Sequence, residues 1–362
     1  MSTRSFTHDF SAMAAFKSLT AAGRGSVAVI LPDVTSSTRY VELDAPDLTT
    51  AMTVAGLSAG DQIVQNAQGN DAIQLTDAEV DVTKGARVLL VDPLDSGVGA
   101  EIENYAKSHG VAVIDYDRVT LGGQRSYYVS FDNLEVGQLM GRGLANCISS
   151  WHVSKPNVLV MRGAVTDSSA TIFYQGYFDD VLQPSFTTGQ YRDLGITAGT
   201  WDPSTALSEF ENAYTAHPDI DAALIANDET ATPIISYLRS TLHVAAKTFP
   251  TTGQDATLSG LQNVLTGYQC GTVYKPIYLE AQAAVALALY LRAHRSPPST
   301  LVNGTTKDAT GHVLVPSVLL APQWVTAANM KDTIVKDNFV PISQLCSGAY
   351  ASVCAAAGIK AA

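Results

Sequence analysis

The chain has 362 residues, of which 46% are hydrophobic and 15% charged, a balance typical of a packed globular protein rather than a disordered one. Its length exceeds the size at which one hydrophobic core usually stops growing, so we expect two lobes. The formal net charge of −12 repels nucleic-acid phosphates and argues against a nucleic-acid partner.

Short apolar strands alternate with helical segments from residue 26 onward. In the first half we predict strands at Ser26–Leu31, Gln62–Asn66, Ala86–Val91 and Val111–Asp115, with helices around Leu48–Ala59 and Glu101–His109. Repeated strand–helix–strand units with continuous apolar strands are typical of a parallel sheet covered by helices on both faces.

The same pattern starts again in the second half. We predict strands at Asn157–Met161, Ala222–Ile225 and Thr248–Thr251, and helices near Ala170–Leu182 and Gln282–Ala293. The sequence therefore predicts an α/β fold with two consecutive doubly wound parallel sheets.

The loops that follow the predicted strands are rich in polar and aromatic residues. They cover residues 32–40, 66–70, 92–95, 115–118, 163–169, 226–228 and 253–255. Such residues also cap helices and form turns, but ligands of open α/β sheets bind beyond the carboxyl ends of the strands. Carboxylates, Arg, Lys and Asn suit a polyhydroxylated ring, and Trp201 or Phe131 suits its apolar face unless these aromatics belong to the core.

The four cysteines form no CxxC motif and have no histidine at zinc-ligand spacing, so we expect no metal site. We predict a Cys346–Cys354 disulfide across a short loop and a Cys147–Cys270 disulfide, with four buried thiols as the alternative. Disulfides persist in oxidising compartments. Residues 1–25 lack the apolar stretch of a signal peptide, so the protein is either cytosolic or exported with its signal removed, and the cysteines favour export.

An enzyme is not expected. Residues Gly56–Gly60 match the GxSxG pattern of hydrolases, but the motif follows a predicted helix and precedes a strand, which reverses the context it needs. HExxH, Walker and strand-to-helix GxGxxG motifs are missing from the sequence, so no catalytic residue or cofactor is predicted. Asp115 and Asp117 form a carboxylate pair, but we expect neighbouring Arg118 to keep both ionised and unsuited to proton transfer.

An ordered set of short motifs carries a family resemblance. The set is Asn66–Asn70, Tyr116–Arg118, Tyr128–Asn133, Trp201–Leu207, Ala226–Asp228, Gly253–Ala256, Thr272–Pro276 and Pro316–Pro322. In this order it resembles the xylose-binding proteins of bacterial ABC transporters, within the ribose-binding-like (type I) family of periplasmic binding proteins. The LDSG and LGG segments and the C-terminal cysteine pair are similar to the actinobacterial branch, whose members are lipid-anchored outside the cell.

The resemblance implies a role for each matching residue. Asp117 and Arg118 match a pair that grips adjacent sugar hydroxyls, and Trp201 matches a tryptophan that stacks on the ring. The other implied ligand-binding residues are Arg39, Asp167, Ser169, Asn227, Asp255 and Lys275.

One segment departs from the family. Asp167-Ser168-Ser169 stands where the family commonly has Asp-Asn-Asn, and a shorter hydroxyl withdraws the hydrogen-bonding atoms from the ligand. A water or a larger hexose could fill the gap, so the identity of the sugar stays open.

The implied mechanism is closure of two lobes around the sugar. The predicted first lobe is residues 26–130 plus 276–319, the second is 131–275 plus 320–362, and residues 1–25 are an N-terminal extension. Three strands cross between the lobes, near 129–132, 272–276 and 317–322, and Asp132 and Asn133 are expected to cap a helix and fix this hinge. The implied function is capture of a monosaccharide, D-xylose, glucose or another aldose, by a monomer that serves an ABC permease.

Two other functions share this fold. The effector-binding core of a LacI-like repressor needs a DNA-binding module of about sixty residues before the first strand, whereas only 25 residues precede it here. A sugar sensor for a membrane receptor cannot be separated from a transport protein by sequence.

Overall fold

The computed structural model describes residues 2–360, so residues 1, 361 and 362 of the predicted extension and second lobe lie outside it. Its strands are β1 (Ser26–Leu31), β2 (Gln62–Asn66), β3 (Ala86–Val91), β4 (Ala112–Tyr116), β5 (Tyr127–Phe131), β6 (Asn157–Met161), β7 (Arg192–Ile196), β8 (Ala222–Ile225), β9 (Thr272–Tyr274), β10 (Gly304–Asp308), β11 (Val313–Leu320) and β12 (Gln323–Val325).

Helices cover both faces of the sheets. They are α1 (Lys17–Ala22), α2 (Ala45–Val54), α3 (Asp71–Thr83), α4 (Ser96–Ser108), α5 (Asn133–Ser150), α6 (Ser168–Tyr174), α7 (Gln183–Thr187), α8 (Pro203–Ala216), α9 (Asp228–Ser240), α10 (Leu258–Thr266), α11 (Ile277–Arg292), α12 (Ile342–Leu345) and α13 (Ala351–Ala356). Wider π-helical turns occupy Tyr40–Asp44 and Gln175–Leu182.

The first lobe is built on a seven-stranded sheet in the order β10-β11-β5-β4-β3-β1-β2. All neighbours are parallel except the antiparallel pair β10–β11. Every residue of β1 is buried, because helices cover both faces, and this explains its continuous apolar sequence.

The second lobe contains a parallel three-stranded sheet, β7-β6-β8, and an antiparallel pair, β12–β9. The α/β class and the two parallel sheets are confirmed. The predicted strand at Thr248–Thr251 is wrong: only Thr251 forms an isolated bridge, to Ala223. Pro250 lacks the N–H that a continuous ladder requires. Conversely, β7 was missed because it is a polar, largely exposed edge strand.

The chain passes between the lobes three times. It leaves β5 for α5, leaves β9 for α11, and leaves β11 for β12. These three passages lie side by side in the fold, since β5 pairs with β11 and β9 pairs with β12. The residue boundaries of the two lobes stay a prediction.

The described part of the N-terminal extension packs onto the first lobe. Phe6, Met13 and Phe16 are buried in the same core as α11, and Gln282 of α11 donates a hydrogen bond to the Thr7 carbonyl oxygen at 2.9 Å. This segment is therefore part of the lobe rather than a separate tail.

The GxSxG match at Gly56–Gly60 follows a helix and precedes a strand, as expected. Helix α2 ends at Val54, Gly56 adopts a left-handed φ of 84° that stops the helix, and β2 follows at Gln62. Ser58 donates to the Asp61 carboxylate at 2.8 Å, so its hydroxyl serves a local turn.

Both expected disulfides are present, Cys147–Cys270 and Cys346–Cys354. Between residues 2 and 360, none of the helices has both the length and the apolar character needed to cross a membrane.

Candidate functional site

A polar cleft lies between the two lobes, at the carboxyl ends of their strands. The residues that line it are Ser36, Ser37, Tyr40, Asp117, Arg118, Asp167, Ser169, Phe173, Trp201, Asn227, Gln254, Asp255 and Lys275. The structure thus brings together all of the sequence-predicted ligand-binding residues except Arg39.

Asp117 presents an ionised carboxylate to the cleft. It follows β4 with a left-handed φ of 59°, a strained conformation that turns the chain out of the sheet. One carboxylate oxygen accepts from Arg39 Nη1 at 2.9 Å and the other from the Tyr40 hydroxyl at 2.9 Å. Burial alone would raise the pKa of Asp117, but the charges of Arg39, Lys275 and Arg118 outweigh it and hold this pKa well below its ordinary value.

Arg118 spans the cleft. Its Nε lies 3.5 Å from Oδ2 of Asp167 in the second lobe and 3.6 Å from Oδ1 of Asp92 in the first. Its guanidinium also faces the Tyr40 ring, 5.7 Å from the centroid, and donates to the Tyr40 hydroxyl at 3.2 Å. Arg118 is therefore buried with its planar donors directed at the site.

Arg39 was also predicted to contact the ligand, but it is not among the residues that line the cleft. Its side chain is only 2% exposed and bonds three carboxylates: Asp44 at 2.8 Å, Asp117 at 2.9 Å and Glu280 at 2.7 Å. The loop places this guanidinium behind Asp117, where its donors are taken by protein groups. Arg39 thus supports a carboxylate that lines the cleft.

Trp201 forms part of the opposite wall. Its indole Nε1 donates to Oδ2 of Asp167 at 3.1 Å. The ring lies against Gly163, where an added Cβ would come within 2.2 Å of the indole. Only glycine allows this close approach, so the backbone after β6 determines the position of the aromatic plane. Phe131, the other aromatic candidate, is fully buried in the core.

Lys275 and Asp255 join the hinge region to the second lobe. Lys275 Nζ lies 2.8 Å from Oδ1 of Asp255 and 4.0 Å from Oδ1 of Asp117. Burial would lower the pKa of Lys275, but these two carboxylates raise it above its ordinary value. The lysine is therefore charged and lies between carboxylates of both lobes.

Residues Ser36–Thr38 of the first lobe contact the second lobe directly. The Asn227 amide donates to the Ser36 carbonyl oxygen at 2.8 Å, and the Ser37 hydroxyl donates to Asp255 at 3.1 Å. The backbone N–H of Thr38 donates to Glu229 at 2.8 Å. The lobes are in a closed arrangement.

The Asp167-Ser168-Ser169 segment makes hydrogen bonds both within itself and to the first lobe. Asp167 caps α6 by accepting from the Ser169 N–H at 2.8 Å. The Ser168 hydroxyl donates to the Val119 carbonyl oxygen of the first lobe at 2.5 Å. Only Ser169 of the two serines faces the cleft.

Asp132 and Asn133 have contacts that support a structural role. The Asp132 carboxylate caps α5 by accepting from the Glu135 N–H at 3.1 Å. Asn133 donates to the Tyr128 hydroxyl of β5 at 2.9 Å, across one of the three passages between the lobes. Neither residue lines the cleft.

The prediction that Arg118 keeps Asp115 ionised is wrong. Asp115 lies on β4 away from the cleft, where it accepts from the Thr120 N–H at 2.7 Å and lies 4.0 Å from Arg125. Burial and the neighbouring carboxyl of Glu103 raise the pKa of Asp115. Sequence proximity to Arg118 was misleading because the charges that act on Asp115 are those of Glu103 and Arg125.

Sequence reasoning singled out the loops but missed several of the lining side chains, namely Ser36, Ser37, Tyr40, Phe173 and Gln254. Four of these follow predicted strands, so the rule that ligands bind beyond the carboxyl ends of strands could have identified them. Phe173 lies inside α6, where nothing distinguishes it from a core residue. In the described range 2–360, no group of three or more His, Cys, Asp or Glu side chains is arranged to hold a metal.

Comparison with known proteins gives the family. The model of the periplasmic binding protein domain matches residues 27–295. A D-xylose-binding periplasmic protein of Escherichia coli (strain K12) is 35% identical over 285 residues, covering 78% of this chain and 82% of that protein. One from Haemophilus influenzae is 32% identical, covering 76% of this chain and 80% of that protein. The chain therefore belongs to the periplasmic binding protein family.

Solved structures agree with this. A carbohydrate transporter solute binding protein from Chloroflexus aurantiacus, in complex with D-glucose, has a TM-score of 0.79 at 25% identity, covering 88% of this chain and 98% of that one. The family model and these relatives are all described as binding proteins, which confirms that the chain is not an enzyme.

Proposed function

We propose that this protein captures a free monosaccharide, D-xylose first among the candidates, and delivers it to a membrane ABC permease. The single observation that carries the proposal is the polar cleft, which the charged groups of Asp117, Arg118 and Lys275 line together with the indole of Trp201. Charged groups hydrogen-bond to ring hydroxyls, and a flat indole covers the apolar face of a ring.

The choice of sugar rests on the relatives and on one segment of the cleft. Two relatives at 35% and 32% identity are D-xylose-binding proteins, whereas two structures at 25% identity contain glucose. Ser169 offers a short hydroxyl to the cleft. Glucose and other aldoses are therefore the alternatives to test against xylose.

The proposed mechanism is hinge closure. The three passages between the lobes are short, and the lobes meet through Ser36–Thr38 on one rim of the cleft. A sugar that hydrogen-bonds to both lobes stabilises the closed state over open ones. We propose the predicted lobe boundaries, residues 26–130 plus 276–319 and 131–275 plus 320–362, for the two moving bodies, and a monomer as the working unit.

We also propose an extracytoplasmic site of action with a lipid anchor on the membrane surface. The two disulfides support this location, because such bonds persist in oxidising compartments. Mass spectrometry of the protein purified from its host membrane would test for the lipid.

A thermal-shift panel of pentoses and hexoses tests the sugar assignment. At about 100 times its dissociation constant, a ligand adds roughly 2.7 kcal/mol to the free energy of unfolding, so the matching sugar produces a clear rise in Tm. Trp201→Ala removes the shift and leaves the fold intact, whereas Trp151→Ala, outside the cleft, keeps the shift. A panel with no shift for any sugar contradicts the proposal.

A role in sensing is the second candidate. The Rhizobium radiobacter protein named a multiple sugar-binding periplasmic receptor is 28% identical over 346 residues, covering 90% of this chain. Two deletions separate the roles. Loss of sugar uptake after deletion of the permease genes supports transport. Loss of signalling or taxis in a binding-protein mutant that still takes up sugar supports sensing.

A further inference from the structure

Two amide side chains lie on the second-lobe wall of the cleft, and they differ in what they bind. Asn227 follows β8, and both ends of its amide are taken by the protein. Its oxygen caps α9 by accepting from the Thr230 N–H at 3.0 Å, and its nitrogen donates to the Ser36 carbonyl oxygen at 2.8 Å. Asn227 is thus occupied in holding the lobes together.

Gln254 has no such partner. It lines the cleft and is only 3% exposed, yet its carbonyl oxygen Oε1 accepts no hydrogen bond from the residues described. A buried acceptor without a donor is costly, and such groups in native proteins are satisfied by a ligand or by water.

Two donors that line the cleft together with Gln254 lie against another acceptor, the Asp255 carboxylate. Lys275 lies 2.8 Å from the Asp255 carboxylate, and the Ser37 hydroxyl donates to the same carboxylate at 3.1 Å. Because no described residue donates to Gln254 Oε1, the contents of the cleft are a source of the missing donor. A sugar hydroxyl meets this need, because it donates one hydrogen bond while accepting others.

We infer that Gln254 is a further specificity-determining residue, whose amide carbonyl accepts a hydrogen bond from one hydroxyl of the bound monosaccharide. This inference rests on the proposed function. It predicts which sugars are rejected: an analogue without that hydroxyl leaves the Gln254 carbonyl buried and unpaired, and sites of this kind reject such analogues strongly.

A protein–ligand double-substitution cycle tests the inference. Gln254→Met removes the amide while keeping nearly the same length and volume. Isothermal titration of the wild type and of Gln254→Met with the panel's best sugar and its monodeoxy analogues measures the coupling of this residue to each hydroxyl. We expect the dissociation constant of the parent sugar to rise about tenfold in the variant, a 1.4 kcal/mol effect. Only the analogue that lacks the hydroxyl bound by Gln254 is expected to have the same dissociation constant for the wild type and for Gln254→Met.

Two further variants complete the design. Gln282→Met removes a buried amide outside the cleft that donates to Thr7 and Tyr278, and it lowers Tm without changing any dissociation constant. Gln254→Asn keeps the amide but withdraws it by one methylene, so it loses affinity as Gln254→Met does and serves in its place if that variant fails to fold.

The outcomes are distinct. A dissociation constant within twofold of the wild type in both Gln254 variants, or an equal loss on every deoxy analogue, overturns the inference while leaving the proposed function intact. A wild type that binds no monosaccharide overturns both.

Discussion

Two buried clusters in the first lobe have nearly the same composition and different surroundings. The cleft cluster consists of Arg39 with Asp44, Asp117 and Glu280, and the rear cluster consists of Arg125 with Glu103, Asp115 and Asp308. Each surrounds one guanidinium with three carboxylates. Asp117 and Asp115, which are two positions apart in the sequence, belong to different clusters.

The number of cations facing each carboxylate decides its chemistry. Asp117 faces Arg39, Arg118 and Lys275, so the pKa of its carboxyl is lowered despite burial. Asp115 faces one cation and the carboxyl of Glu103, so burial and that neighbour raise its pKa. A carboxyl with a lowered pKa that lines the cleft and a carboxyl with a raised pKa within the core thus arise from the same residue type, two positions apart.

The largest expected effect comes from the two arginines. Arg39→Met removes a cation that lowers the pKa of Asp117, and Arg125→Met removes one that lowers the pKa of Asp308. Each leaves a buried carboxylate without its guanidinium, so each lowers the free energy of unfolding by about 3 kcal/mol or more. Only Arg39→Met weakens sugar binding, because Arg39 positions Asp117. Urea unfolding and calorimetric titration of both variants measure the two effects separately.

Arg125→Met serves as the matched control in that pair. If it weakened sugar binding as much as Arg39→Met, the two clusters would not be functionally distinct and the comparison would fail.

A smaller, pH-dependent effect distinguishes the two aspartates. The lowered pKa of Asp117 stabilises the folded state above its ordinary pKa of about 4, and this stabilisation is lost as pH falls through the folded-state pKa. The raised pKa of Asp115 has the opposite sign: above pH of about 4 its burial costs stability, increasingly so as pH rises toward the folded-state pKa.

Asn substitutions measure this difference. Asp117→Asn loses stability relative to the wild type as pH rises from about 3 to 6, whereas Asp115→Asn gains relative stability over the same rise. Melting temperatures at each pH give both slopes, and slopes of the same sign would refute the assignment of charge.

The smallest effect is expected at the glutamates. Burial raises the pKa of both Glu280 and Glu103, which favours the neutral form that glutamine imitates. Glu280→Gln and Glu103→Gln should each change the free energy of unfolding by less than about 1 kcal/mol, the ordinary effect of a single neutral hydrogen-bond exchange. A loss above about 2 kcal/mol in urea unfolding would show that the carboxyl is ionised instead.

Much of the fold followed from local patterns. Strands β1, β3 and β6 are largely continuous apolar runs. Such strands can be recognised from the sequence because both faces of a parallel sheet are buried. The segment Thr248–Thr251 was wrongly predicted as a strand, because it is not a continuous apolar run and Pro250 interrupts the ladder. The edge strand β7 is polar and carries no such signal.

The candidate site was predicted as a set of loops, and the roles within it were less accessible. Arg39 stands in a site loop yet lies behind Asp117, and Gln254 stands beside Asp255 yet carries the unpaired carbonyl. Their roles depend on partners such as Glu280, which is 241 positions away from Arg39 in the chain. No local pattern reports such a distance.

By itself, the sequence determined the α/β class, the strand-end loops and the types of polar group that they carry, because hydrophobic periodicity and turn chemistry are local properties. The tertiary structure alone decided which carboxyl pKa values are lowered or raised, which arginine lies behind Asp117 and which lines the cleft, and which cleft amide has an unpaired carbonyl oxygen. Those outcomes depend on burial and on the charges that distant segments bring within a few ångströms, and both arise only when the lobes are assembled.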